Sequence, residues 1–430
     1  MADLLYLVHR IPYPPNKGDK IRSWHVLKYL AVHFRVHLGC FIDDADDAHH
    51  IDTVKALCAS TCFIRQYPML ARVRSVSGLL TEQPMSLPYY RNAGLQRWVD
   101  ALLHTGQLRQ ALVFSGPMAQ YLDTGPGHVL QRVIDFVDVD SEKWDQYAAT
   151  KAWPLSLLYA REAHYLRNYE RHIAQQFNAS TFVSSAEAAL FRQRAPMARR
   201  KTGYFNNGVD AAYFAPPADT GAACDNPYPA GRRVLVFTGA MDYWPNAEAV
   251  GWFVQRVWPA LRLRFPELLF YIAGSRPARQ VRALADTPGV AVTGFVADIR
   301  PYLAHAALVV APLRIARGVQ NKVLEAMAMQ KTVLATPQAL QGINAQDGVE
   351  VASASDEHEF VQQASRLLTE NIDLGPAARL RILQDYSWDK NLQRLGALLG
   401  IHSDPSLGRG PGHGAGNGAA HPQARREPPS

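Results

Sequence analysis

The chain has 430 residues, of which 48% are hydrophobic and 19% are charged, and its formal net charge is +7. This composition excludes a chain that is disordered as a whole, a collagen or coiled-coil fibre and a disulfide mini-protein, while the length favours two large domains or three small ones. The positive charge is spread thinly, without the Lys and Arg blocks typical of nucleic-acid-binding tails, so no nucleic acid partner is predicted.

The cysteine content and the apolar runs indicate the cellular setting. The four cysteines are too few and too scattered for a disulfide scaffold, which favours a reducing cytoplasm. The apolar run 4–8 is too short for a signal sequence, and no stretch approaches the roughly 20 apolar residues of a membrane-spanning helix. We therefore expect a cytoplasmic protein that is soluble or at most peripheral to a membrane.

Short apolar runs rich in Val, Ile, Leu and Phe predict the β-strands. In chain order they are residues 4–8, 36–42, 111–114, 133–137, 181–183, 234–237, 268–272, 290–292, 308–310 and 332–335. Segments with helical spacing lie between most of them, including 23–34, 186–194, 247–265 and 322–329. Continuous apolar strands that alternate with helices are typical of parallel sheets covered on both faces, so the predicted class is α/β.

Two stretches of the chain lack the hydrophobic periodicity of helices and strands. Residues 213–232 are rich in Pro, Gly and Asp and indicate a linker between domains 1–212 and 233–383. Residues 402–430 contain almost nothing able to enter a core, so a disordered tail is predicted. The histidines of this tail are separated by single glycines, which gives no rigid geometry for a metal ion.

The loop after the first strand, residues 12–22, contains Gly18 and precedes a predicted helix. Ligands of open parallel sheets bind at the carboxyl ends of the strands, where a glycine loop and a helix N-terminus offer free N–H groups to a phosphate. Lys17, Lys20 and Arg22 would add positive charge there. The alternative is a Pro-rich turn with a solvated basic face, since the loop lacks a G-x-G-x-x-G pattern.

The second domain opens in the same manner. Gly239 follows the strand 234–237 at the point where it turns into a loop before a long helix. A ligand can approach the backbone closely at such a glycine, although an ordinary turn would also explain it.

The segment 311–329 gives the strongest local signal. A buried strand leads into a loop that contains Gly318, and a helix follows that carries Lys322 and Glu325 three residues apart, hence on one face. A lysine at a helix start suits a diphosphate, and a carboxylate one turn later can accept two hydrogen bonds from a ribose diol. The alternative is an exposed helical ion pair.

This segment resembles the donor-site signature of retaining family-4 glycosyltransferases of the GT-B fold. Residues 325–328 read Glu-Ala-Met-Ala, after a loop with Pro-Leu-Arg and Arg-Gly and before the strand 332–336. The Asn-Gly-Val-Asp sequence at 207–210, followed by Phe214, resembles the interdomain motif of these enzymes. The Tyr-Ser-Trp sequence at 386–388 resembles the start of a last helix, at about 384–400, that returns to the first domain.

A narrower resemblance concerns residues 135–144. They are similar to a subgroup of sugar transferases associated with bacterial exosortase-linked exopolysaccharide loci. Together the resemblances imply two Rossmann-like domains facing each other across a cleft, with a nucleoside diphosphate sugar mainly on the second and a glycan or lipid-linked acceptor mainly on the first. They imply a retaining, metal-independent hexosyltransferase that needs no cofactor and works at the inner face of the bacterial inner membrane.

The resemblance also implies roles for single residues. Glu325 would bind the ribose, Lys322 a phosphate, and Gly18 and Gly239 would lie beside the diphosphate. The remaining predicted donor-binding residues belong to the loop before the helix: Arg314, Arg317, Gly318 and Asn321. The family usually has a glutamate where this chain has Arg317. Its basic pair after the first strand of the second domain is also not visible in residues 241–246, so Arg314, Arg317 and Lys322 are expected to supply the positive charge instead.

The sequence Asp138-Val139-Asp140 matches the D-x-D pattern that binds manganese in the other glycosyltransferase fold. We predict no metal here, because basic loops and helix N-termini in a two-domain cleft can stabilise the departing nucleotide without one. In a strand the two aspartates would share one face, which makes them catalytic candidates for holding the acceptor hydroxyl or the transferred sugar. For Asp140 the alternative is to cap a helix that begins near Ser141.

A basic amphipathic stretch lies between residues 65 and 80. Arg65, Arg72 and Arg74 alternate there with apolar residues. The stretch would suit contact with an anionic membrane, and an ordinary surface helix is the alternative. Two other functions stay open at this stage: a nucleotide-sugar epimerase of the same fold and a non-catalytic nucleotide-sugar binder.

Overall fold

A computed structural model describes residues 1–15, 17–123, 130–221, 224–316 and 318–401. Arg317 and the tail 402–430, for which disorder is predicted, lie outside the described residues. Two sheets of parallel strands, whose strands alternate with helices along the chain, confirm the predicted α/β class.

The N-terminal sheet has seven parallel strands in the order β3-β2-β1-β4-β5-β6-β7. Their bounds are β1 (Ala2–Val8), β2 (Phe34–Ile42), β3 (Ser60–Arg65), β4 (Leu108–Phe114), β5 (Gln131–Val137), β6 (Ala179–Phe182) and β7 (Thr202–Tyr204). The helices of this half are α1 (Gly18–His33), α2 (Ile51–Lys55), α3 (Pro68–Val76), α4 (Ser86–Tyr89), α5 (Ala93–His104), α6 (Asp140–Thr150), α7 (Leu155–Gln176) and α8 (Ser185–Arg194).

The C-terminal sheet has six parallel strands in the order β10-β9-β8-β11-β12-β13. Their bounds are β8 (Val234–Thr238), β9 (Leu269–Ala273), β10 (Val290–Gly294), β11 (Leu308–Ala311), β12 (Val333–Ala335) and β13 (Ala352–Ser353). The helices, beginning with α9 in the connecting segment, are α9 (Pro217–Thr220), α10 (Trp244–Trp252), α11 (Trp258–Arg264), α12 (Arg279–Arg282), α13 (Arg300–Ala304), α14 (Asn321–Ala328), α15 (Pro337–Leu340), α16 (Glu357–Thr369), α17 (Gly375–Asp385) and α18 (Trp388–Leu398).

Side chains that point alternately to the two faces of the N-terminal sheet form an apolar core on each face. In β1, Leu5 and Leu7 join one apolar cluster, while Leu4, Tyr6 and Val8 join the other. Successive side chains of a strand point to opposite faces, so a strand that is apolar at every position must be covered twice. This explains why continuous apolar runs identified the central strands.

The last helix lies on the N-terminal domain. Trp388 and Leu392 of α18 are buried in the same cluster as Leu27 of α1, and the ring of His25 stacks on Trp388 at 4.4 Å between centroids. A Cβ atom on Gly208 would lie 2.6 Å from Trp388, so the segment that leaves the first domain packs directly on the helix that returns to it.

All ten predicted strands are present, with ends shifted by at most three residues. The sequence did not indicate β3, β7 and β13. Each of these strands lies at the edge of its sheet, and the last two have only three and two residues. An edge strand is covered less completely than a central one, so it needs no continuous apolar run.

Candidate functional site

Two glycines mark the carboxyl ends of the neighbouring strands β8 and β9. Gly239 and Gly274 both have a φ of 153°, which L-residues rarely adopt. A Cβ atom on Gly239 would lie 2.9 Å from Nζ of Lys322, and one on Gly274 would collide with the carbonyl oxygen of Gly239. The two loops therefore pack backbone against backbone, and the absence of side chains leaves Lys322 next to the end of β8.

Lys322 is the second residue of α14, and its ammonium lies over the end of β8. Nζ donates a 2.5 Å hydrogen bond to Oδ1 of Asn246 and lies 4.3 Å from the centroid of the Phe237 ring. Asn246 is buried and donates from Nδ2 to the carbonyl oxygen of Ala240 at 2.8 Å, which fixes its orientation. Burial lowers the pKa of Lys322 to about 7, although the charge of Glu325 opposes this change.

Glu325 follows one turn later on the same helix. Val323, Leu324 and Met327 are buried in the core of the C-terminal domain, so Lys322 and Glu325 occupy the part of α14 that this core does not cover. Burial raises the pKa of Glu325 to about 7, against the opposing effect of Lys322. The two residues differ from an exposed surface pair, because both are half-buried and the lysine bonds to an amide instead of the carboxylate.

The start of α14 touches the N-terminal domain. Oδ1 of Asn321 accepts a 3.1 Å hydrogen bond from Nδ2 of Asn207, whose own Oδ1 accepts a 2.8 Å hydrogen bond from Arg22. A Cβ atom on Gly18 would lie 3.7 Å from Nδ2 of Asn321. The fold thus brings Gly18, Asn321, Lys322 and the Gly239 loop to one place between the domains.

Asp138 and Gly318 meet across the same boundary. Gly318 has a φ of 65°, and a Cβ atom on it would collide with Oδ1 of Asp138. This oxygen is buried and has no hydrogen-bond partner within the described parts of the chain. Burial raises the pKa of Asp138, although the nearby Lys143 ammonium lowers it.

Comparison with known proteins agrees with this architecture. Residues 232–370 match the family model described as glycosyl transferases group 1. The sucrose-phosphate synthase of Thermosynechococcus elongatus is similar at a TM-score of 0.65 and 16% identity, covering 93% of this chain and 98% of that one. HepE of Anabaena, solved with UDP and glucose, is similar at a TM-score of 0.64 and 15% identity, covering 93% and 100%. A glycosyltransferase of Rickettsia africae gives 0.60 and 12%, covering 93% and 98%.

The chain has the GT-B fold. The match to the glycosyl transferases group 1 model lies within its C-terminal half. A search among curated proteins by sequence gives no match.

Two basic residues of the segment 12–22, Lys20 and Arg22, are paired with carboxylates inside the N-terminal domain. Helix α1 begins at Gly18 and not near residue 23, so Lys20 and Arg22 lie inside it and are buried. Nζ of Lys20 lies 2.6 Å from Asp47, and the Arg22 guanidinium donates two hydrogen bonds to Asp135, of 2.7 and 3.1 Å. The prediction that Lys20 and Arg22 supply charge to a phosphate is therefore wrong, because buried carboxylates already bind both cations.

The expectation that Asp138 and Asp140 share a strand face is also wrong. Strand β5 ends at Val137, whose φ is 72°, and Asp140 is the first residue of α6. Lys143 connects the two aspartates, since its Nζ lies 3.9 Å from Oδ2 of Asp138 and 3.3 Å from Oδ1 of Asp140. The charge of Asp140 is the main cause that raises the pKa of Lys143.

The capping alternative for Asp140 is not observed. The residue before α6 makes no side-chain cap, and the N–H of Ser141 donates instead to Oε1 of Glu170 at 3.1 Å. Because Glu170 satisfies this part of the helix start, the carboxylate of Asp140 is left to pair with Lys143 beside the GT-B cleft.

The arginines of the predicted donor-binding loop, Arg314 and Arg317, are not shown around Lys322. Arg314 is exposed, and its guanidinium forms an ion pair with Glu248 and lies 5.5 Å from the centroid of the Trp252 ring. The carboxylate of Glu248, on α10, therefore largely balances its charge. Arg317 lies outside the described residues. Lys322 lies against Gly239 itself, and Arg276 lies beside the same loop farther along, 3.8 Å from the carboxylate of Asp242.

Two residues of this GT-B site were missed from the sequence. Asn246 orients Lys322, and Gly274 supports Gly239. The sequence around Gly274, a glycine directly after an apolar strand, repeats the pattern around Gly239 and could have identified it. Nothing local distinguishes Asn246 from other polar residues at a helix start.

Neither a metal centre nor a membrane span is found in the part of the GT-B chain that the structure describes. No group of three or more His, Cys, Asp or Glu side chains among those residues is placed to hold a metal ion. The same residues include no helix with the length and apolar character needed to cross a bilayer.

Proposed function

We propose that this protein is a glycosyltransferase that moves a sugar from a nucleoside diphosphate sugar to a glycan or lipid-linked acceptor. The observation that carries the proposal is the position of Lys322 beside Gly239 at the start of α14, with Glu325 one turn later. A cation, a bare glycine loop and a helix N-terminus form the arrangement that binds a diphosphate. The group 1 family match over residues 232–370 supports sugar transfer as the reaction.

On the donor side, the leaving nucleoside diphosphate gains negative charge as its bond to the anomeric carbon breaks. Lys322 and the first N–H groups of α14 are fixed donors that stabilise this charge without reorganising. Glu325 accepts hydrogen bonds from the ribose. In the proposed reaction these groups stabilise the charge, so no metal ion is needed.

On the acceptor side, the carboxylate of Asp138 is the main candidate. Its buried Oδ1 has no partner in the described residues and faces the donor loop at Gly318. Such an oxygen can accept a hydrogen bond from the acceptor hydroxyl or from a hydroxyl of the transferred sugar. Asp140 and Lys143 would hold this carboxylate in place and balance its charge.

The finer parts of the proposal depend on sequence resemblance. Retention of the anomeric configuration follows from the resemblance of residues 325–328 to the family-4 signature. A role in exopolysaccharide synthesis at the inner face of the bacterial membrane follows from the resemblance of residues 135–144. Anabaena HepE has been solved with UDP-glucose, so UDP-glucose is the first donor to test here.

A transfer assay with labelled donors tests the proposal. Purified protein is incubated with radiolabelled UDP-glucose, UDP-N-acetylglucosamine or GDP-mannose, with and without bacterial lipid extract. Label that enters a lipid or glycan product, with release of the nucleoside diphosphate, is the expected result. A changed sugar without an acceptor would indicate an epimerase, and binding without turnover would indicate a non-catalytic binder; either result would overturn the proposal.

A further inference from the structure

Helix α3 exposes the large apolar side chains that an ordinary surface helix would bury. Its buried residues are the small Ala71 and Ser75, whereas its large apolar side chains point outward. Met69 is 80% exposed, Leu70 65% and Val73 71%. Large apolar side chains on a surface helix normally face the core, and a contiguous exposed group of them marks an interaction surface.

Arginines flank this exposed apolar sector. At 3.6 residues per turn, Met69, Leu70 and Val73 fall on one side of α3, with Arg72 and Arg74 at its two borders. No acidic residue occurs between residues 60 and 81. A helix that is apolar on one face and basic at both borders is suited to the boundary between the acyl chains and anionic headgroups of a bilayer.

A second exposed apolar segment lies beside the first. Trp153 is 78% exposed and Leu157 63%, at the start of α7. One turn after Leu157, the guanidinium of Arg161 donates hydrogen bonds to the carbonyl oxygens of Gly78 and Thr81, just after α3. These bonds join the first turns of α7 to the segment just after α3. We call the exposed side chains of α3 and of residues 153–157 the apolar face.

Topology places the apolar face at the edge of the cleft. Helix α3 follows the carboxyl end of β3, and α7 runs toward the amino end of β6, so its start lies at the carboxyl edge of the same parallel sheet. Asp138 follows the carboxyl end of β5 at that edge. Molecules held at the apolar face are therefore on the same edge of the N-terminal domain as the acceptor-side carboxylate.

We infer that the apolar face docks on an anionic lipid bilayer and that the acceptor is lipid-linked, the second part resting on the proposed function. Docking buries the apolar side chains among acyl chains and places the arginines at the phosphate level, where long basic side chains extend to the headgroups. A twofold pairing of two copies through this face would instead bring Arg72 and Arg74 of each copy together without an acidic partner on α3.

Vesicle sedimentation of the full chain tests the docking. Vesicles are made of phosphatidylcholine alone or with one quarter phosphatidylglycerol. We expect the partition coefficient to be at least about tenfold higher on the anionic vesicles and to fall about tenfold in the double variant Leu70→Ser and Val73→Ser. Leu263→Ser is the matched control, because Leu263 on α11 is 85% exposed but lies on the other domain.

Three results would overturn the inference. The first is equal binding to both vesicle types, and the second is an equal loss of vesicle binding in the Leu263→Ser control. The third is a dimer in light scattering that the double variant converts to a monomer. Unchanged thermal unfolding monitored by circular dichroism shows that the variants fold. Calorimetry without vesicles separates the two proposals. If the protein binds a nucleotide sugar but no vesicles, only membrane docking is rejected. If it binds vesicles but no nucleotide sugar, the proposed function and the lipid-linked acceptor are rejected.

Discussion

The Nζ atom of Lys322 lies 2.5 Å from Oδ1 of Asn246, so a neutral amide, and not a carboxylate, holds this ammonium over the end of β8. A cation paired with a neutral group has no fixed counter-charge, so in its protonated form its charge is available to an anionic ligand. This property distinguishes Lys322 from Lys20 and Arg22, whose charges are balanced by buried aspartates.

The first prediction concerns Lys322→Met. The variant should bind the best nucleotide sugar of the donor panel about 10- to 100-fold more weakly, because a charged hydrogen bond to a phosphate contributes about 1.5–3 kcal/mol. Isothermal titration calorimetry measures this change. Lys390→Met, at an exposed lysine of α18, is the control and should bind as the parent does. Equal affinity in the parent and in Lys322→Met would remove Lys322 from the site.

The second prediction concerns Glu325→Gln. Nucleotide affinity should fall several-fold, since an amide accepts hydrogen bonds from a ribose diol less strongly than a carboxylate does. Thermal stability should hold or rise slightly, because the substitution removes a carboxyl group whose charged form is disfavoured by burial. Glu370→Gln, at an exposed position after α16, is the matched control. A large drop in melting temperature would indicate that Glu325 serves the fold instead of the ligand.

The third prediction concerns Gly318→Ala. The added Cβ would meet Asp138 at a positive φ, so transfer should slow at least about tenfold, and stability should fall by about 1 kcal/mol. Gly251→Ala in α10 is the control: nothing lies within 4 Å of its Cβ position, and alanine should stabilise this helix by about 0.5–1 kcal/mol. Denaturant unfolding and the transfer assay measure both effects. Full activity in Gly318→Ala would show that the contact with Asp138 is unimportant for turnover.

The fourth prediction concerns Asp138→Asn. Donor binding should stay within about twofold of the parent while kcat falls at least about tenfold, because the proposed function places this carboxylate on the acceptor side. Calorimetry with the donor and the transfer assay report the two effects separately. A parallel loss of donor affinity and turnover would move Asp138 to the donor site, and normal turnover would exclude it from catalysis.

The fifth prediction concerns pH. Burial lowers the pKa of Lys322 and raises that of Glu325, each to about 7. Above this pH Lys322 loses the positive charge that holds the diphosphate, so the affinity for a nucleotide sugar should fall as pH rises from 6 to 8.5, by at most about tenfold per pH unit for this proton. The ionised Glu325 accepts hydrogen bonds from the ribose more strongly, so its ionisation opposes part of this fall. UDP-glucose is a suitable probe because its diphosphate does not titrate in this range. Lys322→Met should show a smaller fall, and an unchanged pH profile in that variant would contradict the assignment.

The local pattern of apolar and charged residues predicted the parts of the fold that depend on residues close together in the sequence. The central strands were identified because burial on both faces requires apolar residues at every position, as in β1. The start of α14 and its charged face were identified because helical spacing alone places Lys322 and Glu325 together. The edge strands escaped, since β7 and β13 are too short for a periodic signal.

The remaining features depend on residues distant in the sequence. Arg22 pairs with Asp135, which is 113 residues away, and Lys20 with Asp47, which is 27 residues away. Without knowledge of these partners, both cations are expected to be free for a ligand. The positive φ of Val137, which ends β5 before Asp138, likewise has no signal in a residue that ordinarily favours strands.

The hydrogen bond between Asn207 and Asn321 gives α14 a direct connection to the core of the other domain. Through Asn207 and Arg22, the first residue of α14 is linked to Asp135 on β5 of the N-terminal sheet. A hinge rotation that separates the two halves must exchange this amide contact for water. If α14 binds the donor as proposed, donor binding and the angle between the halves are coupled through this pair of asparagines.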